Sequence, residues 1–216
     1  MTVKPNIAII ILAAGGSSRM GQPKQLLPWG KTTLLGHSID QALNSQAKKV
    51  FVVLGANVDE IGASIEHKSI QLLKNKGWES GMGCSIAVGA KKALEEGFDA
   101  VLIMLADQPQ IDSVFLGELI SEWQKKQQPI IATGYDTKAG VPAIFEKSYF
   151  SELAALEGDL GAKEIIATNI SNVVVLSHSN VIDDIDTLET YNKIVNEYLE
   201  HHRKPDDQNK SNFILE

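Results

Sequence analysis

The stretch Leu12-Ala13-Ala14-Gly15-Gly16-Ser17-Ser18-Arg19-Met20-Gly21-Gln22-Pro23-Lys24 has the residue types to hold a phosphorylated ligand. Small side chains let backbone N–H groups approach a ligand closely, and such groups are good phosphate donors. Arg19 and Lys24 add two cations for charge-assisted contacts with phosphate oxygens. The bland reading is a glycine turn with two solvated cations. Two familiar phosphate motifs do not account for it. Gly15, Gly16 and Gly21 lack the G-x-G-x-x-G spacing, and Gly30-Lys31-Thr32 would need glycine where Gln25 stands to close a P-loop.

Acidic groups come next. Asp107 directly follows the apolar run Val101–Ala106 and precedes Gln108-Pro109, so a carboxylate sits where a buried strand stops. Such a group can hold a hard cation beside phosphates, or simply cap a turn. In Asp183-Asp184-Ile185-Asp186-Thr187, alternation puts Asp184 and Asp186 on one side of an extended segment, and neighbouring acids repel unless a cation intervenes. The competing reading is that Asp186 or Thr187 caps the following helix. Asn75 to Ser85 carries three glycines (Gly77, Gly81, Gly83) and Trp78 ahead of a helix, as a loop lining a pocket would. Gly140–Phe145 and Gly158–Lys163 are further small-residue loops. Gly83–Ala87 falls one residue short of G-x-S-x-G, with no strand directly before it, which disfavours a serine hydrolase. Cys84 has neither a second cysteine nor a histidine nearby in sequence.

The elements that must position these groups alternate. Ile7–Ala14 reads as a strand buried on both faces, and Leu34–Ala47 as a helix. Val50–Leu54, Val58–Ile65 and Ile70–Leu73 continue as strand, helix and strand. Ser85–Glu95 is helical, Ala100–Ala106 is a central strand, and Asp112 caps a helix reaching Lys125. Pro129–Thr133 follows as a strand, and Pro142 marks Val141–Phe145 as an edge strand. Short helices at Lys147–Leu156 and Gly161–Thr168, a strand at Val173–Leu176 and a helix at Leu188–Leu199 complete the pattern. Repeated β-α units predict an α/β fold with a mostly parallel sheet and helices on both faces. Residues 1–200 read as a single domain. Residues 201–216 read as a polar, loose tail in which His201 and His202 are solvated.

Composition sets outer bounds. Twenty Lys+Arg against 27 Asp+Glu give a formal charge of -7 over 216 residues, a poor match for nucleic acid or a membrane surface. No apolar run approaches the roughly 18–20 residues of a span. Ile7–Ala14 has the bare outline of a signal peptide, but it sits at the short limit and the residues after it read better as a phosphate loop. A single cysteine excludes an intrachain disulfide and points to a reducing, cytoplasmic setting.

Taken together and in order, these segments resemble the MobA-like nucleotidyltransferases, and most closely the branch of molybdenum cofactor cytidylyltransferases. The pattern L-A-A-G-x-S-x-R-M-G-x-x-K is met at every defined position by Leu12 to Lys24. Gly81-Met82-Gly83-x-Ser85, Ala106–Pro109, Gly140-x-Pro142 with Phe145, Gly158-Asp159-x-Gly161-Ala162 and Asp184–Thr187 also look like this branch. Two departures are Lys163, where the branch often has arginine, and Leu188, where proline is usual.

The resemblance implies a Rossmann-like three-layer fold and a magnesium-dependent reaction. In that reaction an acceptor phosphate attacks the nucleotide's α-phosphorus and diphosphate leaves. It further implies that Leu12, Ala13, Ala14, Gly15, Gly16 and Ser17 hold the base and ribose. Arg19 and Lys24 then bind the triphosphate, and Asp107 and Asp186 hold the metal. Gly81, Met82, Gly83, Ser85, Pro142, Gly158, Asp159 and Gly161 lie near the acceptor. The expected ligands are CTP and molybdopterin, with a molybdenum hydroxylase as client. Alternatives are GTP in place of CTP, another phosphorylated acceptor, or a non-catalytic cofactor carrier in xanthine dehydrogenase maturation.

Overall fold

The computed structural model describes residues 5–135, 138–178 and 183–202. Its strands are β1 (Ile7–Leu12), β2 (Pro28–Trp29), β3 (Thr32–Thr33), β4 (Lys49–Leu54), β5 (Gln71–Lys74), β6 (Ala100–Leu105), β7 (Ile130–Tyr135), β8 (Lys138–Glu146) and β9 (Val173–Ser177). Its helices are α1 (Leu34–Asn44), α2 (Val58–Ile65), α3 (Met82–Glu95), α4 (Ser113–Gln124), α5 (Phe150–Ala154), α6 (Ala162–Thr168) and α7 (Leu188–His202). The expected tail lies outside the described residues from residue 203 on, and no helix among the described residues is long and apolar enough to cross a membrane.

β1 is apolar throughout because both of its faces are covered. Ile7, Ile9 and Ile11 point into one core, against Leu35 and Ile39 of α1, Ile61 of α2 and Leu116 and Leu119 of α4. Ala8, Ile10 and Leu12 point into the other, against Ile86 and Ala90 of α3, Phe150 of α5 and Ile165 of α6. Period-2 alternation on a doubly covered strand thus yields three layers. Local capping fixes two helix starts. The Thr33 hydroxyl accepts from the Gly36 N–H at 3.0 Å, and the Asp112 carboxylate accepts from the Phe115 N–H at 2.8 Å.

The main sheet runs β5-β4-β1-β6-β8-β7-β9, with β2 and β3 forming a separate hairpin. β1 pairs in parallel with β4 on one side and β6 on the other, so the chain reverses its direction of travel across the sheet at this point. Open α/β sheets bind ligands at such a switch point, beyond the strands' carboxyl ends.

β8 corrects one expectation. It is not an edge strand: it lies between β6 and β7, antiparallel to both. Proline is tolerated there because the ladder skips it. Pairing steps from Ala132↔Ala143 to Thr133↔Gly140, leaving Val141 and Pro142 in a bulge with a cis peptide bond between them. Their carbonyls are taken by side chains: Thr133 Oγ1 donates to Pro142 O at 2.6 Å, and the Tyr135 hydroxyl donates to Val141 O.

Candidate functional site

A cleft of about 480 Å³ opens at the carboxyl ends of β1 and β6. Leu12, Ala13, Ala14, Gly15, Arg19 and Lys24 line it on the β1 side, together with Asp107 and Asp186. Gly81, Met82, Ser85 and Asp159 line it opposite. Of the residues singled out from the sequence, Gly16, Ser17, Gly83, Pro142, Gly158 and Gly161 stand behind this lining. Gly16 packs under Trp78, whose ring would sit 3.2 Å from a Cβ there. Pro142 is in the β8 bulge, and Gly161 precedes α6, its N–H donating to the Glu164 carboxylate at 2.7 Å.

Asp107 continues β6 past its last paired residue, Leu105. The arm bearing Asp184 and Asp186 is pinned by the residue between them. Ile185 is fully buried in a third apolar cluster with Met20, Leu27, Trp29, Leu34 and Ile194 of α7. Its N–H donates to Asp107 O at 3.0 Å. Thr187, not Asp186, caps the next helix, accepting from the Thr190 N–H at 3.1 Å. Asp184 and Asp186 are therefore both left to face the cleft.

Lys24 draws the pieces together. Its ammonium donates to Asp107 Oδ2 at 2.5 Å, Ile185 O at 3.1 Å and Asp186 Oδ1 at 3.2 Å. Lys24 and Asp107 are mostly buried, with 18% and 16% of their side-chain surface exposed. Burial alone would lower the Lys24 pKa, but Asp107 and Asp186 outweigh it and hold the ammonium above the usual lysine range. Arg19, far more exposed, reaches Asp186 Oδ2 at 3.1 Å.

The loop ahead of Lys24 is held by a residue that sequence reasoning passed over. Gln25 is 3% exposed, and its amide donates to Ala13 O and Gly15 O, each at 2.9 Å. The Ser17 hydroxyl, on a left-handed backbone at φ 52°, donates to Gln25 Oε1 and accepts from the Lys24 N–H at 3.0 Å. Two loop carbonyls are thereby fixed, and the Gly15 and Gly16 N–H groups have no partner among the described residues. The sequence signal was slight: Gln25 directly precedes the apolar pair Leu26-Leu27, while Gln22, an exposed amide, stands only three residues before it.

Gln108 is the second such residue, 4% exposed. Its amide donates to Asp184 Oδ1 at 2.8 Å and to the Tyr135 hydroxyl at 3.3 Å. Burial pushes the Tyr135 phenol up to about 12; Asp184 and Asp107 add to this and Gln108 opposes it. Asp184 is held above the usual carboxylate range, first by burial of the side packed on Gln108, then by Asp107 and Asp186, against Gln108 and Lys24.

On the opposite wall, α3 starts at Met82 rather than at the expected Ser85, so Met82, Gly83 and Ser85 form its first turn. Gly83 N–H donates to Gly158 O at 2.9 Å, satisfying one of the orphan donors of a helix start. Gly81, at φ 114° and ψ 179°, adopts a backbone that is essentially reserved for glycine. A Cβ on it would lie 2.2 Å from Gly158 O. Ser85 Oγ accepts from the buried Asn75 amide at 2.9 Å, which leaves its own hydrogen for the cleft.

The lining carries five carboxylates (Glu79, Asp107, Asp159, Asp184, Asp186) against Arg19 and Lys24. A polyphosphate cannot enter such a cleft without added positive charge. The residues fit a divalent cation. Asp107 Oδ1 is buried with no hydrogen-bond partner among the described residues, and Asp107 and Asp186 stand close enough to share one ammonium. Among the described residues no group of three or more His, Cys, Asp or Glu is placed to hold a metal ion, so the protein's own share here is the Asp107 and Asp186 pair.

Residues 9–175 match the family described as the MobA-like NTP transferase domain. The chain is 30% identical to the purine catabolism protein PucB of Bacillus subtilis over 204 residues, covering 88% of this chain and 96% of that one. It is 26% identical to nicotine blue oxidoreductase of Paenarthrobacter nicotinovorans, covering 86% and 94%. Among solved structures, the manganese complex of Rv0371C from Mycobacterium tuberculosis superposes with a TM-score of 0.73 at 27% identity, covering 88% of this chain and 98% of that chain. With its β1 loop, its mostly parallel sheet and its cleft at the switch point, the chain belongs to the MobA-like NTP transferase family.

Proposed function

We propose that this protein transfers the CMP moiety of CTP to the phosphate of a molybdopterin acceptor, releasing diphosphate, with magnesium as cofactor. The observation that carries the reading is the meeting of Lys24, Asp107 and Asp186 beside the Gln25-held loop, in a cleft whose lining is net acidic.

The Leu12–Ser17 backbone binds the base and ribose, with the Ala13 and Gly15 carbonyls held by the Gln25 amide and the Gly15 and Gly16 N–H groups left for the ligand. Lys24 and Arg19 bind the triphosphate and stabilise charge on the departing diphosphate. Asp107 and Asp186 would hold magnesium, which supplies charge neutralisation at the phosphates. The acceptor's phosphate oxygen, approaching from the Gly81–Ser85 and Gly158–Gly161 side, bonds to the α-phosphorus as the α–β bridging bond breaks. The bond's electron pair leaves with diphosphate. Such chemistry depends on positioning and electrostatics more than on a covalent nucleophile. The relative named for purine catabolism fits a product that serves a molybdenum hydroxylase.

The test is diphosphate release from CTP, GTP, ATP and UTP, each with and without molybdopterin. Release with CTP and molybdopterin alone is the expected result. Release with GTP instead transfers the reading to guanylyl chemistry. No release with any pair rejects the reading for this acceptor.

A further inference from the structure

We propose that Gln108 and Tyr135 are positioning residues whose hydrogen-bond relay, running from Asp184 to Val141, holds the 183–187 arm so that Asp186 stays opposite Asp107. The proposal rests on the reading of Asp107 and Asp186 as cation ligands.

The arm is gripped at two adjacent points by two adjacent residues. Asp107 O accepts the Ile185 N–H at 3.0 Å, and the Gln108 side chain donates to Asp184 Oδ1 at 2.8 Å. The relay has one direction. The Tyr135 hydroxyl spends its only hydrogen on Val141 O, so it can only accept from Gln108. Gln108 thus offers one amide hydrogen to Tyr135 and one to Asp184. Its Oε1 is buried with no partner among the described residues. Turning the amide over would set that oxygen against a carboxylate and forfeit both bonds, so the network fixes the orientation.

The far end is anchored by the β8 bulge. Because the register skips Val141 and Pro142, the Val141 carbonyl is outside the ladder and free to accept from a side chain. One chain of hydrogen bonds therefore runs from the interior of the sheet to the carboxylate arm. Groups that orient metal ligands without touching the metal are worth roughly 10–100-fold in metal affinity or activity.

The test is Mn2+ binding to the full chain, followed by the loss of the free-ion electron paramagnetic signal, with circular dichroism as the check on folding. Gln108→Glu keeps the shape but replaces the donor with a second carboxylate facing Asp184. Weakening of Mn2+ binding by roughly 10–100-fold is expected, with a smaller loss for Tyr135→Phe. Pairing Gln108→Glu with Asp184→Asn restores a donor and an acceptor in reverse order, and most of the affinity is expected to return. Wild-type affinity in Gln108→Glu overturns the proposal. So does a loss that the paired variant fails to recover, since the Asp184 charge itself would then be what is needed. If Gln108→Glu does not fold, Tyr135→Phe decides, and unchanged affinity there overturns it. Absence of Mn2+ binding by the wild type would instead overturn the reading of Asp107 and Asp186.

Discussion

On one wall of the cleft, Gln25 and Ser17 hold the Ala13–Ser17 loop through side-chain hydrogen bonds. On the other, Gly81 and Gly83 let the start of α3 press against the 157–160 turn by carrying no side chain at all: a Cβ on Gly83 would meet Leu160 O at 2.7 Å. The first wall is rigid because polar groups are satisfied, and the second because space is used up. Damage to the first should be graded and partly rescued by other donors. Damage to the second should be abrupt, since backbone atoms cannot step aside. The second wall also carries exposed apolar side chains: Met82, which lines the cleft, and Leu160 in the adjoining turn.

The largest effect is expected where the walls meet. Asp107→Ala should lower diphosphate release by about 10²–10³-fold, the scale of losing one preorganised electrostatic group, and should also lower the melting temperature, because the mostly buried Lys24 ammonium loses a partner; turnover at the wild-type rate would remove Asp107 from the chemistry. Gly81→Ala comes next. Its backbone conformation alone costs a side chain about 1–3 kcal/mol, and the contact with Gly158 adds to that, so urea denaturation should show a loss near the top of that range. Gln25→Leu should cost about 1–3 kcal/mol, the scale of leaving buried polar groups unpaired, and should weaken nucleotide binding more than acceptor binding. An equal effect on both would mean that the loop is not the nucleotide wall. Leu160→Ser should be smallest, within about 0.5 kcal/mol in stability, its effect confined to the acceptor's KM.

Much of this was legible from residue types. Small residues, two cations and a strand end identified the loop, and Asp107 was visible because a carboxylate ended an apolar run. The position of β8 was not legible, because the rule that keeps proline at sheet edges assumes an unbroken ladder, and the bulge at Val141-Pro142 breaks it. Gln25 and Gln108 were missed for a different reason. An amide's value lies in the partners it finds, and those partners are 8 to 76 residues away in sequence. Alternation already set Asp184 and Asp186 on one side of their segment, and the burial of Ile185 between them shows that this side faces the cleft.

Ile185 ties the carboxylate arm to α7, which follows every strand of the main sheet in the chain. The family match ends at residue 175 and β9 at Ser177, while Asp184, Asp186 and α7 follow. During synthesis, every strand of the main sheet leaves the ribosome before either of those carboxylates does. A nascent chain halted after β9 would own the complete sheet and the Lys24 loop, yet its ammonium would have Asp107 alone to answer it. On the proposed function, a stop that spares the whole sheet would still remove one of the two carboxylates proposed to hold the cation.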